Sequence, residues 1–296
     1  MPQFYVSHTY IAASARLDEA CAWLESLGIN HSPTRVGRYR KIFAALARHQ
    51  TANTLEAFFD NYSLMSFVNA AHEVAELVRM YEGLSQHRDA SLVSRLRDAL
   101  KGHELFVMDD NDRSGRDFTL ELSIASKFAR AGLPVDFGHQ ADLRTQYAGH
   151  ELFVECKRLK SVNQVERRIK EGLAQLEQRY VDSENPSSAR GILVLGTSKL
   201  VNSELGVLEA EDPQLLGDKA FAYNRVFIET YRALWQVQVD QRTLGVAVVL
   251  DAPGLVGATK KLVTCHEVAM NNSVPVNTPN YALLHKLASH VFPKRT

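Results

Sequence analysis

Three cysteines, Cys21, Cys156 and Cys265, are too few and too scattered for a disulfide framework or a Cys-based zinc site. No apolar run approaches the ~18 consecutive residues that a membrane-spanning helix needs. Charge of one sign is missing too, since 34 basic and 34 acidic side chains cancel. A protein that coats nucleic acid non-specifically carries a basic excess, so this balance argues against a large electrostatic footprint while leaving room for a local one. The opening residues, MPQFYVSHTY, lack the basic and apolar regions of a secretion signal, and there is no internal repeat or low-complexity tract. What is present is 296 residues, 45% hydrophobic and 23% charged, enough for one large domain or two ordinary ones with a real core. The expectation is a cytoplasmic protein with no membrane partner.

Residues 1–105 read as a helical N-terminal region. Leu17, Ala20, Cys21, Leu24 and Leu27 recur at helical spacing, and Gly28 closes the segment as a C-terminal cap. Further helices are expected near Tyr39 to His49, Leu64 to Tyr81 and Ser91 to Leu100. The polar, turn-rich stretch MDDNDRSGRD marks the boundary to a second region, 106–296. There the pattern alternates. Asp117 is placed to cap a helix over Phe118 to Ala131, which Gly132-Leu133-Pro134 stops. Val135 to Phe137 and Ala141 to Thr145 are short strand candidates, Ala148-Gly149 is a turn, and Glu151 to Leu159 is the strongest strand pattern. An amphipathic helix over Gln164 to Tyr180, a buried strand over Gly191 to Thr197, a helix near Phe221 to Val237 and a strand over Leu244 to Asp251 follow. Such alternation predicts an α/β layer fold with a central mixed sheet.

One constellation carries chemistry. Glu155 and Lys157 lie two apart on the strongest strand, so both side chains leave the same face, while Val154 and Cys156 point to the other, under flanking helices. Asp142 lies on the preceding strand, where a hairpin through Ala148-Gly149 brings it beside Glu155. Two neighbouring carboxylates with a free face suit Mg²⁺ or Mn²⁺, hard ions that accept oxygen ligands and keep several waters. Such an ion polarises a phosphodiester and activates a water, and Lys157 would orient that water or offset charge building on the phosphate. Glu121, in the first turns of the preceding helix, supplies a further acidic group. The acid-x-Lys tripeptide alone means little, because roughly 1.4 chance matches are expected in a chain of this composition. Its setting gives it weight.

That order of parts resembles the PD-(D/E)XK, or restriction-endonuclease-like, nuclease superfamily. Asp142 matches the motif's Asp and Glu155-Cys156-Lys157 its (D/E)XK, with Ala141 in place of the motif's Pro. Arg116-Asp117 with Glu121-Leu122 is similar to the helix that carries an upstream Glu in many such families. Gln175-Leu176 matches members that keep a polar residue near the site on the following helix. The resemblance covers sixty to eighty residues. It implies an αβββαβ core and Mg²⁺-dependent phosphodiester cleavage, with Asp142, Glu155 and Glu121 toward the metal, Lys157 catalytic and Gln175 a polar support. It also implies a nucleic-acid partner, DNA rather than RNA. Cutting two strands takes two sites, which a homodimer supplies. The superfamily includes members without catalysis, so an inactive domain that binds nucleic acid or a protein is the alternative. A third reading is an unrelated α/β protein in which the triad is accidental.

Other features compete less well. Residues 157–180 hold seven cationic and three acidic side chains, read either as a phosphate-positioning surface or as a solvated helix face with pairs such as Glu166–Lys170. His139 and His150 have no partner at zinc-ligand spacing. Cys156 reads as a small buried hydrophobe. Tyr223, Tyr231 and Trp235 share a helix at core spacing.

Overall fold

The computed structural model describes residues 3–5, 10–108, 115–138, 140–202, 206–237, 239–258 and 261–293. Its helices are α1 (Tyr10–Ser26), α2 (Arg35–Thr51), α3 (Leu55–Phe58), α4 (Leu64–Leu84), α5 (Ala90–Ala99), α6 (Gly115–Arg130), α7 (Val165–Asp182), α8 (Ser198–Val201), α9 (Pro213–Tyr231), α10 (Ala233–Gln236) and α11 (Pro279–Val291). Its strands are β1 (Gln3–Tyr5), β2 (Leu143–Tyr147), β3 (His150–Arg158), β4 (Arg190–Gly196), β5 (Leu208–Ala210), β6 (Thr243–Val256) and β7 (Lys261–Asn272). The strands form one mixed sheet in the order β1-β7-β6-β4-β3-β2, with β5 beside β6. β3, β4 and β6 run parallel, and β2 and β7 join them antiparallel. The expected α/β architecture with a central mixed sheet is present. Among the described residues no helix is long and apolar enough to cross a membrane.

Helices cover both faces of the parallel strands, so alternate residues of each strand enter different cores. Leu152, Val154 and Cys156 of β3 and Ile192 and Val194 of β4 join one apolar cluster with α1, α2, α4, α5, α6 and α11. Phe153 of β3 and Leu193 and Leu195 of β4 join another with α7, Phe227 of α9 and Trp235 of α10. Helices from 1–105 therefore contribute to the same core as the sheet. Charge also ties them to it. Arg79 of α4 donates to Asp251 of β6 at 2.8 Å, and His266 of β7 bonds the same carboxylate at 2.7 Å. Glu73 of α4 takes Arg35 of α2 at 3.0 Å and Arg116 of α6 at 2.5 Å.

The sequence boundaries hold to within a few residues in most elements. Gly28 adopts φ +69° after α1, and Gly132 φ +75° after α6, as helix ends in the left-handed conformation require. α6 begins at Gly115, so Asp117 lies in its first turn instead of capping it, and its carboxylate pairs with Lys160 at 3.3 Å. Gly115 is needed there because a β-carbon would collide with the Lys101 carbonyl. The strand expected at Val135 to Phe137 is reduced to one bridge, Asp136 to Arg144. Trp235 is buried as expected, whereas Tyr223 is exposed and belongs to no core. β1, β5, β7 and α11 have no counterpart among the sequence-based expectations.

Candidate functional site

The site grows from a two-residue turn. Ala148 and Gly149 both take positive φ, 50° and 80°, the conformation that the right-handed twist of a tight hairpin favours. That turn fixes Tyr147 opposite His150 and Leu143 opposite Val154. Asp142 lies one residue beyond β2, and its charge acts on the Glu155 carboxyl. Asp142 Oδ2 accepts a 2.7 Å hydrogen bond from the Cys156 backbone N–H, which ties its carboxylate to β3.

Glu155 is not on the open face that the sequence suggested. β3 lies between β4 and β2 in the sheet, and α7 covers the face to which Glu155 points. Its side chain is 1% exposed, and its Oε1 accepts from Arg179 Nε of α7 at 2.9 Å. Lys157, also on this face, stands 3.7 Å from Glu155 Oε2 and donates to the Cys156 carbonyl at 3.2 Å. Gly172 of α7 makes room for it: a β-carbon there would meet Lys157 Cγ and crowd Leu193. A surface ion pair on an edge strand is thereby ruled out, because two charges this deeply buried are costly unless paired.

Glu121 approaches from α6, on the other side of the sheet. It is 9% exposed, and Oε2 accepts from Arg95 of α5. Burial pushes the Glu121 carboxyl up to about 8, with the neighbouring Asp142 charge acting in the same direction. The same two causes, in the same order, bring Glu155 up to about 7. The Cys156 thiol, buried beside these carboxylates, is pushed well above the ordinary thiol range, so it is no nucleophile. The charge on Asp142 thus acts on both Glu121 and Glu155, against that of Lys157.

Gln175 is not among these groups. It is exposed on α7 and, among the described residues, makes no hydrogen bond. The reason is helical phase: Val165, Ile169, Gly172, Leu176 and Arg179 form the buried stripe of α7, and Gln175 falls beside it. The polar side chain that reaches the site from this helix is Arg179. Arg95 is its counterpart on α5. Sequence reading counts Arg179 only as charge and passes over Arg95, although each is a cation within an apolar stripe, Leu92 and Leu96 flanking Arg95. The basic excess after β3 is largely absorbed as well. Lys170 pairs with Glu166 at 2.6 Å, and Arg167 and Arg168 both reach Glu171, at 2.6 and 3.3 Å. His150 bonds the Ser188 carbonyl at 3.1 Å, and His139 lies outside the described residues.

Among the described residues, no group of three or more His, Cys, Asp and Glu side chains is arranged to hold a metal ion. Two oxygens, Asp142 Oδ1 and Glu121 Oε1, take no hydrogen bond or ion pair among the described residues, and Glu155 Oε2 has only the 3.7 Å contact with Lys157. An all-oxygen set of this kind fits a hard ion such as Mg²⁺, which is commonly held by one or two carboxylates plus water and substrate. No protein-family model matches the chain, and no curated protein or solved structure matches it significantly.

Proposed function

We propose that the chain is a Mg²⁺- or Mn²⁺-dependent nuclease that hydrolyses phosphodiester bonds of nucleic acid, DNA rather than RNA, on a restriction-endonuclease-like αβββαβ core. The observation that supports this reading is the Asp142 carboxylate bonded to the Cys156 N–H between Glu155 and Lys157 in the chain, with its charge acting on both Glu155 and Glu121. The order of elements is consistent with it: α6, the bridge at Asp136, β2, β3, α7 and β4 follow as helix, three extended segments, helix and strand.

Asp142 and Glu155 would hold the ion, with Glu121 supporting through its unbonded oxygen. A divalent ion there supplies Lewis-acid stabilisation of the phosphate. The chain's own groups do the rest. Lys157, its stem packed over Gly172, presents an ammonium where charge develops on the phosphate. Burial by α7 keeps water from screening that interaction. Glu155, brought up to about 7, exchanges its proton near neutral pH, so cation and proton compete for it.

A second reading has its own observation. Arg95 and Arg179 already occupy one oxygen each of Glu121 and Glu155, as in a scaffold that has lost catalysis and binds nucleic acid or a protein. Plasmid, linear and single-stranded substrates incubated with and without Mn²⁺ separate the two. The wild type is expected to cut only with Mn²⁺, and Asp142→Ala, Glu155→Gln and Lys157→Ala to lose cutting while remaining folded. Intact substrates under all conditions would leave the second reading. Glu155→Gln is preferred to Glu155→Ala because its amide oxygen can still accept from Arg179 Nε, whereas Ala leaves that buried donor without this acceptor.

A further inference from the structure

Two arginines share one geometry. Arg179 Nε donates to Glu155 Oε1 at 2.9 Å, while its terminal nitrogens donate to the side-chain oxygen and the backbone carbonyl of Gln140, each at 3.0 Å. Arg95 donates to Glu121 Oε2 with one nitrogen and to the Ala141 carbonyl with the other at 3.2 Å. Each guanidinium thus joins a glutamate of the site to the backbone immediately before Asp142. They act from opposite sides of the sheet, Arg179 from α7 and Arg95 from α5. β2 pairing begins only at Leu143, so no ladder bond holds residues 140–142. The arginine bonds add to the burial of Ala141 and to Asp142's own bond to Cys156 N–H in holding this segment.

We infer that Arg95 and Arg179 are positioning residues, a pair of forks that hold Asp142 in register with Glu121 and Glu155. The reading of these carboxylates as a metal site underlies the inference's relevance to catalysis, but not its geometry. A planar fork with several fixed donors is what the task requires. Lysine keeps the charge and offers a single point donor in place of the fork. Positioning and simple charge neutralisation therefore part company in Arg95→Lys and Arg179→Lys.

The test uses the full chain and two readouts. The first is amide hydrogen exchange at Cys156, whose N–H bonds the Asp142 carboxylate and reports its placement without any metal. The second is Mn²⁺ affinity. Both lysine variants are expected to speed Cys156 exchange about tenfold over its β3 neighbours, as a local opening does. They are also expected to weaken Mn²⁺ binding roughly tenfold, the scale of lost outer support around metal ligands. Gln140→Ala, which removes one exposed acceptor and disturbs no core, is expected to move both in the same direction by a smaller factor. Unchanged Cys156 exchange in the lysine variants overturns the inference whatever Mn²⁺ does. So does exchange that quickens uniformly along β3, which reports general loosening. If Cys156 exchange quickens locally but the wild type binds no Mn²⁺, the positioning role stands and the metal reading falls.

Discussion

Replacing Glu155 with Gln tests how burial and ion pairing divide the energetics of the site. Glu155 has an arginine at 2.9 Å, yet its carboxyl is brought up to about 7, because the cost of desolvating the charge, reinforced by Asp142, exceeds what Arg179 and Lys157 return. In the unfolded chain the group titrates near its ordinary 4.5. Below that value both states are protonated and Glu155 contributes no pH dependence. As pH rises, the unfolded chain releases the proton first, so stability is lost progressively until the folded carboxyl also ionises around pH 7. The difference between 4.5 and about 7 corresponds to about 3 kcal/mol. The amide in Glu155→Gln has no proton to release, so that loss is absent in the variant. Urea unfolding at pH 5, 6, 7 and 8 gives the comparison. The stability of Glu155→Gln relative to wild type is expected to improve by about 2.5 kcal/mol between pH 5 and pH 8, because the unfolded carboxyl is already largely ionised at pH 5, on top of whatever constant offset the lost ion pair brings. Parallel curves would refute the reasoning. A variant that loses ground as pH rises would show that the Arg179 pair outweighs burial.

Two further outcomes follow from the packing around α7. Gly191→Ala is expected to lower stability by about 1–3 kcal/mol, as overpacking does, because its β-carbon would strike the Tyr180 hydroxyl and Leu176 and disturb the 2.9 Å Tyr180–Thr243 bond; a drop in thermal midpoint checks it. Gln175→Ala, at an exposed position, is expected to change stability by less than about 0.5 kcal/mol and to leave Mn²⁺ affinity unaltered, as unfolding curves and a Mn²⁺ titration would show.

The parts of this molecule legible in the sequence are those where a local rule acts alone. Ala148-Gly149 announces a turn, and the turn fixes the register from Tyr147 opposite His150 to Leu143 opposite Val154. Gly28 and Gly132 end helices for a reason written in the residue itself. Hairpin logic does not extend to β7, whose pairing with β6 runs from Lys261 opposite Val256 to Asn272 opposite Gly245. That strand carries no clean alternation, since polar residues such as His266 and Glu267 are buried in it by partners distant in sequence. The face of Glu155 escapes sequence reading for a similar reason: whether a strand lies at an edge depends on β4 and α7 closing over it, which spacing within β3 does not encode. Arg179 is readable in principle. A cation at the last position of the stripe Val165, Ile169, Gly172 and Leu176 must find a buried acid. Gln175 draws attention instead because of its match to a motif, and helical phase leaves it outside.

The central claim is that the carboxylates gathered around β3 hold a divalent cation. Calorimetric titration of Mn²⁺ into the wild type and into Asp142→Ala, above pH 8 where protons no longer compete for Glu155, measures it directly. Saturable binding by the wild type and its loss in Asp142→Ala is the expected result. A wild type that takes up no Mn²⁺, or an Asp142→Ala variant that binds it equally well, would contradict the claim.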